Sequence, residues 1–198
     1  RGALGTIRMN VFADPRAAIA ALWLASCLAG CSQQHDHSWT TTTVDGRFSF
    51  QMPSHPKVEP QKQDTPTGEV SFTLYRLQLE NPTQTYAFGN VDLPAVLNEP
   101  KGEEIEEKLD GVQQGSVANV KGKVLKSDKI KVAGFAGRDL LIQLPNANIE
   151  RVRGVLVHRT LIMMEVYNVN SKDADRFFDS LKLLKESPET AAASPRKP

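Results

Sequence analysis

Cysteine is nearly absent from this chain. Two occur in 198 residues, Cys27 and Cys31, both in one apolar stretch near the start. Everything after Cys31 therefore lacks a disulfide, a thiol nucleophile and a cysteine-based zinc site. Histidine is scarce as well, with four in all: His35, His37, His55 and His158. Neither HExxH nor GxSxG occurs, so two common hydrolase signatures are missing. Net charge is small: 24 basic against 23 acidic residues, a formal +1. Arg1, Arg8, Arg16 and Asp14 all precede Cys31, so the rest of the chain is close to −1. That argues against an electrostatic nucleic-acid binder and against a polybasic lipid-binding patch. Beyond Cys31 there is no long apolar run, and no internal repeat is visible.

What is present near the start is Ala17–Cys31, AAIAALWLASCLAGC. Residues 17–30 are uncharged and number fourteen, short of the ~20 that a transmembrane helix needs but right for the apolar region of a secretory signal peptide. Arg8 and Arg16 supply a positive flank that Asp14 dilutes. The stretch ends Leu28-Ala29-Gly30-Cys31. It resembles the lipobox of bacterial lipoproteins: an apolar residue, two small residues, then a cysteine. The resemblance implies a diacylglycerol on the Cys31 thiol, cleavage between Gly30 and Cys31, and acylation of the new amino terminus. Small residues would let a peptidase reach the backbone, and the cysteine must be accessible because its thiolate is the nucleophile. Leu24-Ala25-Ser26-Cys27 is a second, overlapping lipobox. It ranks behind because cutting there would shorten the apolar region and leave Leu28-Ala29-Gly30 in the mature chain. An uncleaved anchor is a third reading. Two or three acyl chains, each CH2 contributing roughly 0.8 kcal/mol, hold a protein on a bilayer where one chain does not. By the same resemblance, Ser32 after the cysteine favours the outer membrane, facing the periplasm.

The expected organisation is a signal peptide over 1–30, a lipidated Cys31 with a polar tether over 31–38, one domain over 39–184, and a disordered tail over 185–198. The chain starts at Arg1, and Met9 is a plausible true start, leaving residues 1–8 as an upstream extension. About 150 residues suit one domain with its own core. His35-Asp36-His37 lies in the tether with no third or fourth ligand nearby, so it reads as solvated linker, not as a metal site.

Within the domain, Trp39–Val44 is rich in β-branched threonine. Asp45-Gly46 is a hairpin turn, and Arg47–Met52 alternates with Phe48, Phe50 and Met52 on one face. Lys57–Thr65 is polar and suits an edge strand. Thr65–Gly68 and Asn81-Pro82 are turns. Val70–Leu79 switches apolar phase, which predicts a bulge or a strand covered on both faces, and Gln84–Leu93 returns beside it. Pro100 can start a helix whose stripe is Ile105, Leu109 and Val112. Glu103, Glu104, Glu106 and Glu107 crowd its first turns, where the dipole favours anions, and they read as a solvated face. Lys121–Val132 gives three short strand-like pieces. Gly134–Arg138 is a turn with two glycines and lacks phosphate-cradle spacing. Asp139–Leu144 is a strand. Ile149–Val157 and Thr160–Val169 form a hairpin around His158-Arg159, the second strand apolar on both faces as a central strand should be. Asn170 or Ser171 can cap a last helix with the stripe Ala174, Phe177, Phe178, Leu181 and Leu184.

This order predicts an α+β domain, one antiparallel sheet packed by helices. DGRFSFQMP, AGFAGRDL and RFFDSLKLL carry a resemblance to the PsbP-like fold, an α-β-α sandwich, over about residues 39–184. A resemblance of fold transfers no activity. His55 sits between prolines and His158 in a tight turn, both readings of solvent. Asp92, Asp139 and Asp175 are scattered with no spacing that pairs them. No catalytic constellation, cofactor site or metal site is legible. Three function classes follow, in order. The first is a non-catalytic lipoprotein domain that binds an envelope protein or joins a complex. The second is a small-ligand carrier using a cleft between sheet and helix. The third is an enzyme with an unrecognised site.

Overall fold

A computed structural model describes residues 38–65, 68–80, 83–93 and 98–184. The signal peptide, Cys27, Gly30, Cys31, the His35–His37 run, Pro66-Thr67, Asn81-Pro82 and the tail over 185–198 lie outside the described residues.

Asp45 and Gly46 both take positive φ, 50° and 66°, the geometry that lets a tight turn match the twist of its flanking strands. They join β1 (Thr40–Val44) to β2 (Phe48–Met52). Phe48, Phe50 and Met52 are buried together, as the alternation predicts. Next come β3 (Lys57–Thr65), β4 (Gly68–Glu80) and β5 (Thr83–Asp92), each antiparallel to the one before. Pro60 cannot donate to a ladder, and β3 is accordingly an edge. β4 pairs with β5 without a register shift. Its phase switch reflects cover on both faces, with Leu74 in one core cluster and Leu77 in the other.

The chain then crosses through α1 (Glu103–Val120) to the far edge, where β6 (Lys123–Val132), β7 (Phe135–Gln143), β8 (Ile149–Val157) and β9 (Thr160–Tyr167) follow. The order is β3-β4-β5-β9-β8-β7-β6, antiparallel throughout. β9 holds the middle of seven strands, which is why TLIMMEVY is apolar on both faces. After it come α2 (Ser171–Asp179) and β10 (Lys182–Leu183).

Several expectations are corrected. The single sheet is two: β10 pairs with β2, so β1-β2-β10 form a separate three-stranded layer over one face of the large sheet. The three pieces within Lys121–Val132 are one strand, β6, whose alternation is interrupted by a bulge between Val124 and Lys126. The turn before β7 is Ala133-Gly134, and β7 starts at Phe135, not Asp139. Gly137 lies inside it, where a Cβ would sit 2.7 Å from the Gly154 carbonyl oxygen. α2 stops at Asp179; Leu181 is buried beyond its end, while Leu184 is exposed.

Two cores result. Between the sheets, Phe50 stacks on Phe88 at 4.3 Å and meets Phe177 edge-on at 6.3 Å. Val44, Tyr86, Ile162, Met164, Phe178 and Leu181 fill the rest of that space. Asn170 caps α2, its side chain accepting from the Asp173 N–H at 2.9 Å. On the opposite face, α1 lies over β7 and β8 with Leu109 and Val112 buried. Gly154 permits that close approach: a Cβ there would be 3.0 Å from Val112 Cγ1. The acidic start of α1 is not wholly solvated, because Glu106 pairs with Arg138 at 2.9 Å and Lys129 at 3.1 Å. Among the described residues no helix is long and apolar enough to cross a membrane.

Candidate functional site

α1 ends one row short of the sheet's end. Lys121 closes it in the left-handed conformation, φ 51°, and the Lys121 and Gly122 N–H groups both donate to the Val117 carbonyl. The row of side chains just beyond runs Gln78–Thr85–Tyr167–Glu150–Ile142 across five strands. Ile142 is covered. Gln78, Thr85, Tyr167 and Glu150 instead floor a cleft of about 480 Å3, walled by Asn119–Lys121 at the helix end and by Leu144–Asn146 in the β7–β8 connection. A volume of that size suits a small ligand.

Glu150 is only 3 % exposed, and its Oε2 is buried without a hydrogen-bond partner. A buried polar atom left unpaired is costly. Glu165 lies one row away on the next strand, opposite Val152 as Glu150 is opposite Tyr167, and it too is buried. Burial pushes the Glu150 carboxyl well above the ordinary glutamate range, and the Glu165 charge pushes the same way. Burial also pushes Glu165 up, against the pull of the Arg76 guanidinium on β4. Two carboxyls close together in low dielectric resist double ionisation. The Tyr167 hydroxyl accepts from the Asn148 side-chain amide, which fixes it at the cleft wall.

Two further polar clusters pin the fold. Arg47 forks onto Asp92 at 3.1 and 3.3 Å, and the Thr160 hydroxyl donates to the same carboxylate. Burial raises the Asp92 carboxyl, but the Arg47 and Thr160 hydrogen bonds outweigh it and hold Asp92 below its usual range. Beneath α2, Arg151 joins Asp139 at 3.7 Å and Asp175 at 2.8 Å. Two of the three aspartates without any pairing spacing in the sequence therefore meet on one guanidinium; Asp92 stays apart. His158 is exposed, its Nδ1 2.9 Å from Glu99 Oε1, and His55 is exposed. Among the described residues no group of three or more His, Cys, Asp or Glu could hold a metal ion.

No family model matches the chain, and no curated protein matches it. It is similar to the solution structure of cyanobacterial PsbP (CyanoP) from Synechocystis sp. PCC 6803. The TM-score is 0.46 at 10% identity, over 79% of this chain and 98% of that one. A likeness at that score and identity assigns neither a family nor an activity or partner to this chain.

Proposed function

We propose that this is an envelope lipoprotein, held on a bilayer by acyl chains on Cys31, whose folded domain is a non-catalytic binding module for a small ligand. The observation that carries the binding reading is the cleft at the end of α1, with the buried Glu150 among its lining residues. This is the sheet–helix cleft of the carrier class, so the carrier reading moves ahead of protein docking. Among the described residues the large exposed apolar ones, Val58, Leu125, Ile149 and Leu184, fall on three different strands and just past the end of β10. Val58 and Leu125 occupy opposite edges of the large sheet. They do not make the flat apolar patch that a protein partner would bury. The anchor rests on the lipobox alone.

The test is retention. The lipidated full chain, purified in mild detergent, is incubated with a small-molecule extract, washed, and its retained compounds read by mass spectrometry. At least one compound should stay with the parent and be lost from Asn119→Trp, which narrows the cleft from the helix end. A parent that retains nothing would overturn the binding reading.

A further inference from the structure

We propose that the end of the domain holding Trp39, the amino end of α2 and the cleft is the face turned to the bilayer. The inference rests on the lipid anchor at Cys31 and goes beyond it, because an anchor alone leaves the domain free to present any side. Two independent features carry it. The first is where the anchor joins. Ser38 is seven residues after Cys31, a reach of at most about 25 Å even when fully extended. The chain enters the fold at Trp39 and Thr40. Thr40 pairs with Met52, at the opposite end of β1 from the Asp45-Gly46 turn. Trp39 meets Tyr86 edge-on at 6.1 Å, near the start of β5. Arg176 of α2 lies 4.4 Å over the Trp39 ring. The entry point is thus fixed against both the large sheet and α2. Thr83, Thr85, Tyr167 and Leu144–Asn146, which line the cleft, lie at this same end of the large sheet. The Asn168 side chain donates to the Thr83 carbonyl across it at 2.8 Å. Cleft and entry point therefore share one end of the sheet. The Asp45-Gly46, Ala133-Gly134 and His158-Arg159 turns mark the other, about 30 Å away at ~3.3 Å per residue.

The second feature is charge. The chain is close to neutral, yet its charges are not spread evenly. Lys121, Lys123, Lys172 and Arg176 stand exposed at the anchored end, against Glu80 and Asp173. Glu59 and Asp175 are already paired there, with Lys57 at 2.9 Å and Arg151 at 2.8 Å. The far end has the opposite balance. Glu99 reaches His158 there, and α1 starts beside it with Glu103, Glu104 and Glu107 exposed. Lys101, Lys131 and Arg159 face them, while Asp45 and Asp92 share Arg47. The domain is therefore polar end to end, basic where the tether joins and acidic away from it. An anionic bilayer attracts the first end and repels the second. That field fades within a Debye length, ~10 Å at about 0.1 M salt, so it acts on a domain that a short tether already holds close. With this face down, the cleft lies on the bilayer side of the domain, within reach of molecules that partition into the headgroups.

Energy transfer to the bilayer tests this. Cut before Cys31, the chain keeps no other cysteine, and the Cys31 thiol carries lipid, so an introduced cysteine takes the dye alone. A donor dye is placed through Ser171→Cys at the anchored end or Lys101→Cys at the far end, both exposed positions. The lipidated chain is reconstituted in vesicles of anionic phospholipid with an acceptor dye on the headgroups, and mass spectrometry of the same sample reads the acyl chains on Cys31. Transfer from Ser171→Cys should exceed transfer from Lys101→Cys by at least about twofold, given the ~30 Å between the ends. Salt at about 0.5 M, or vesicles of neutral phosphatidylcholine, should narrow that gap. Lys123→Glu with Lys172→Glu should narrow it in anionic vesicles, with a urea midpoint like the parent's because both residues are exposed. A gap that neither salt nor the charge variants change would support the orientation and assign it to the tether alone. Equal transfer from the two sites, or greater transfer from Lys101→Cys, in a chain shown to be acylated would overturn the orientation and leave the anchor standing. A chain without acyl groups would remove the anchor reading and this inference with it.

Discussion

Arg153 lies 4.8 Å over the ring of Phe178. The same guanidinium reaches Asp139 at 2.8 Å on the neighbouring strand and Asp179 at 3.2 Å on the helix. Arg151 covers that ring as well, at 4.9 Å. Phe178 is thus the point where α2, the large sheet and a partly exposed ion-pair network meet. Phe178→Ala should cost about 3–5 kcal/mol in a urea unfolding titration, a large share of the ~5–15 kcal/mol a domain has. Phe177→Ala should cost about as much, because Phe177 is fully buried against Phe50 and Tyr86. If both variants unfold at the parent's urea concentration, α2 is not docked as described.

Gly154 and Val112 set how closely α1 approaches the sheet. Gly154→Val should destabilise by about 1–3 kcal/mol through overpacking. Val112→Ala in the same chain should recover part of that loss, since the two side chains then share one space. A double-mutant cycle reads the coupling. Simple additivity would mean that α1 does not press on Gly154.

Stability should fall as the solution is made alkaline. Glu150 and Glu165 hold protons more tightly folded than unfolded. Their contribution is full below the ordinary glutamate range and is lost as pH rises through the raised values. Between about pH 5 and about pH 8, unfolding free energy should drop by at least about 1 kcal/mol. Glu165→Gln should flatten that slope. Asp92, held low, acts with the opposite sign: its contribution is present at neutral pH and is lost only on acidification. An alkaline limb as steep in Glu165→Gln as in the parent would remove the carboxyl pair as its cause.

The anchor makes a separate prediction. Mass spectrometry of the protein from membranes should find an acylated Cys31 at its amino terminus. An acylated Cys27 would keep the anchor and move its site. A chain still beginning before Ala17 would end the lipoprotein reading.

Glu165 was within reach of sequence reasoning. TLIMMEVY reads as a strand covered on both faces, and one carboxylate in such a strand must meet a partner, a cavity or a proton. Glu150 was not within reach. In IERVRGVLV alternation places it on the face opposite Arg151 and Arg153, but only the register across β9 shows that it lies one row from Glu165 on that face. The strand pairs bounded by local turn chemistry, β1–β2 and β8–β9, were legible because Asp45-Gly46 and His158-Arg159 punctuate them. β6 was misread because its bulge leaves Leu125 exposed and shifts the lysines that follow out of simple alternation. The second sheet left no trace: its third strand is two residues long and pairs with a segment far away in the chain.

That short strand ties the domain's beginning to its end. A polypeptide made amino end first exposes Phe48 and Phe50 early, as a hairpin that is marginal alone. Their covering ring, Phe177, and their third strand, Lys182–Leu183, come last. Closing so long a loop is entropically slow. The first residues of the domain therefore stay open to proteases and chaperones until the last have emerged, and whatever delays the carboxyl end keeps the amino end unfolded with it.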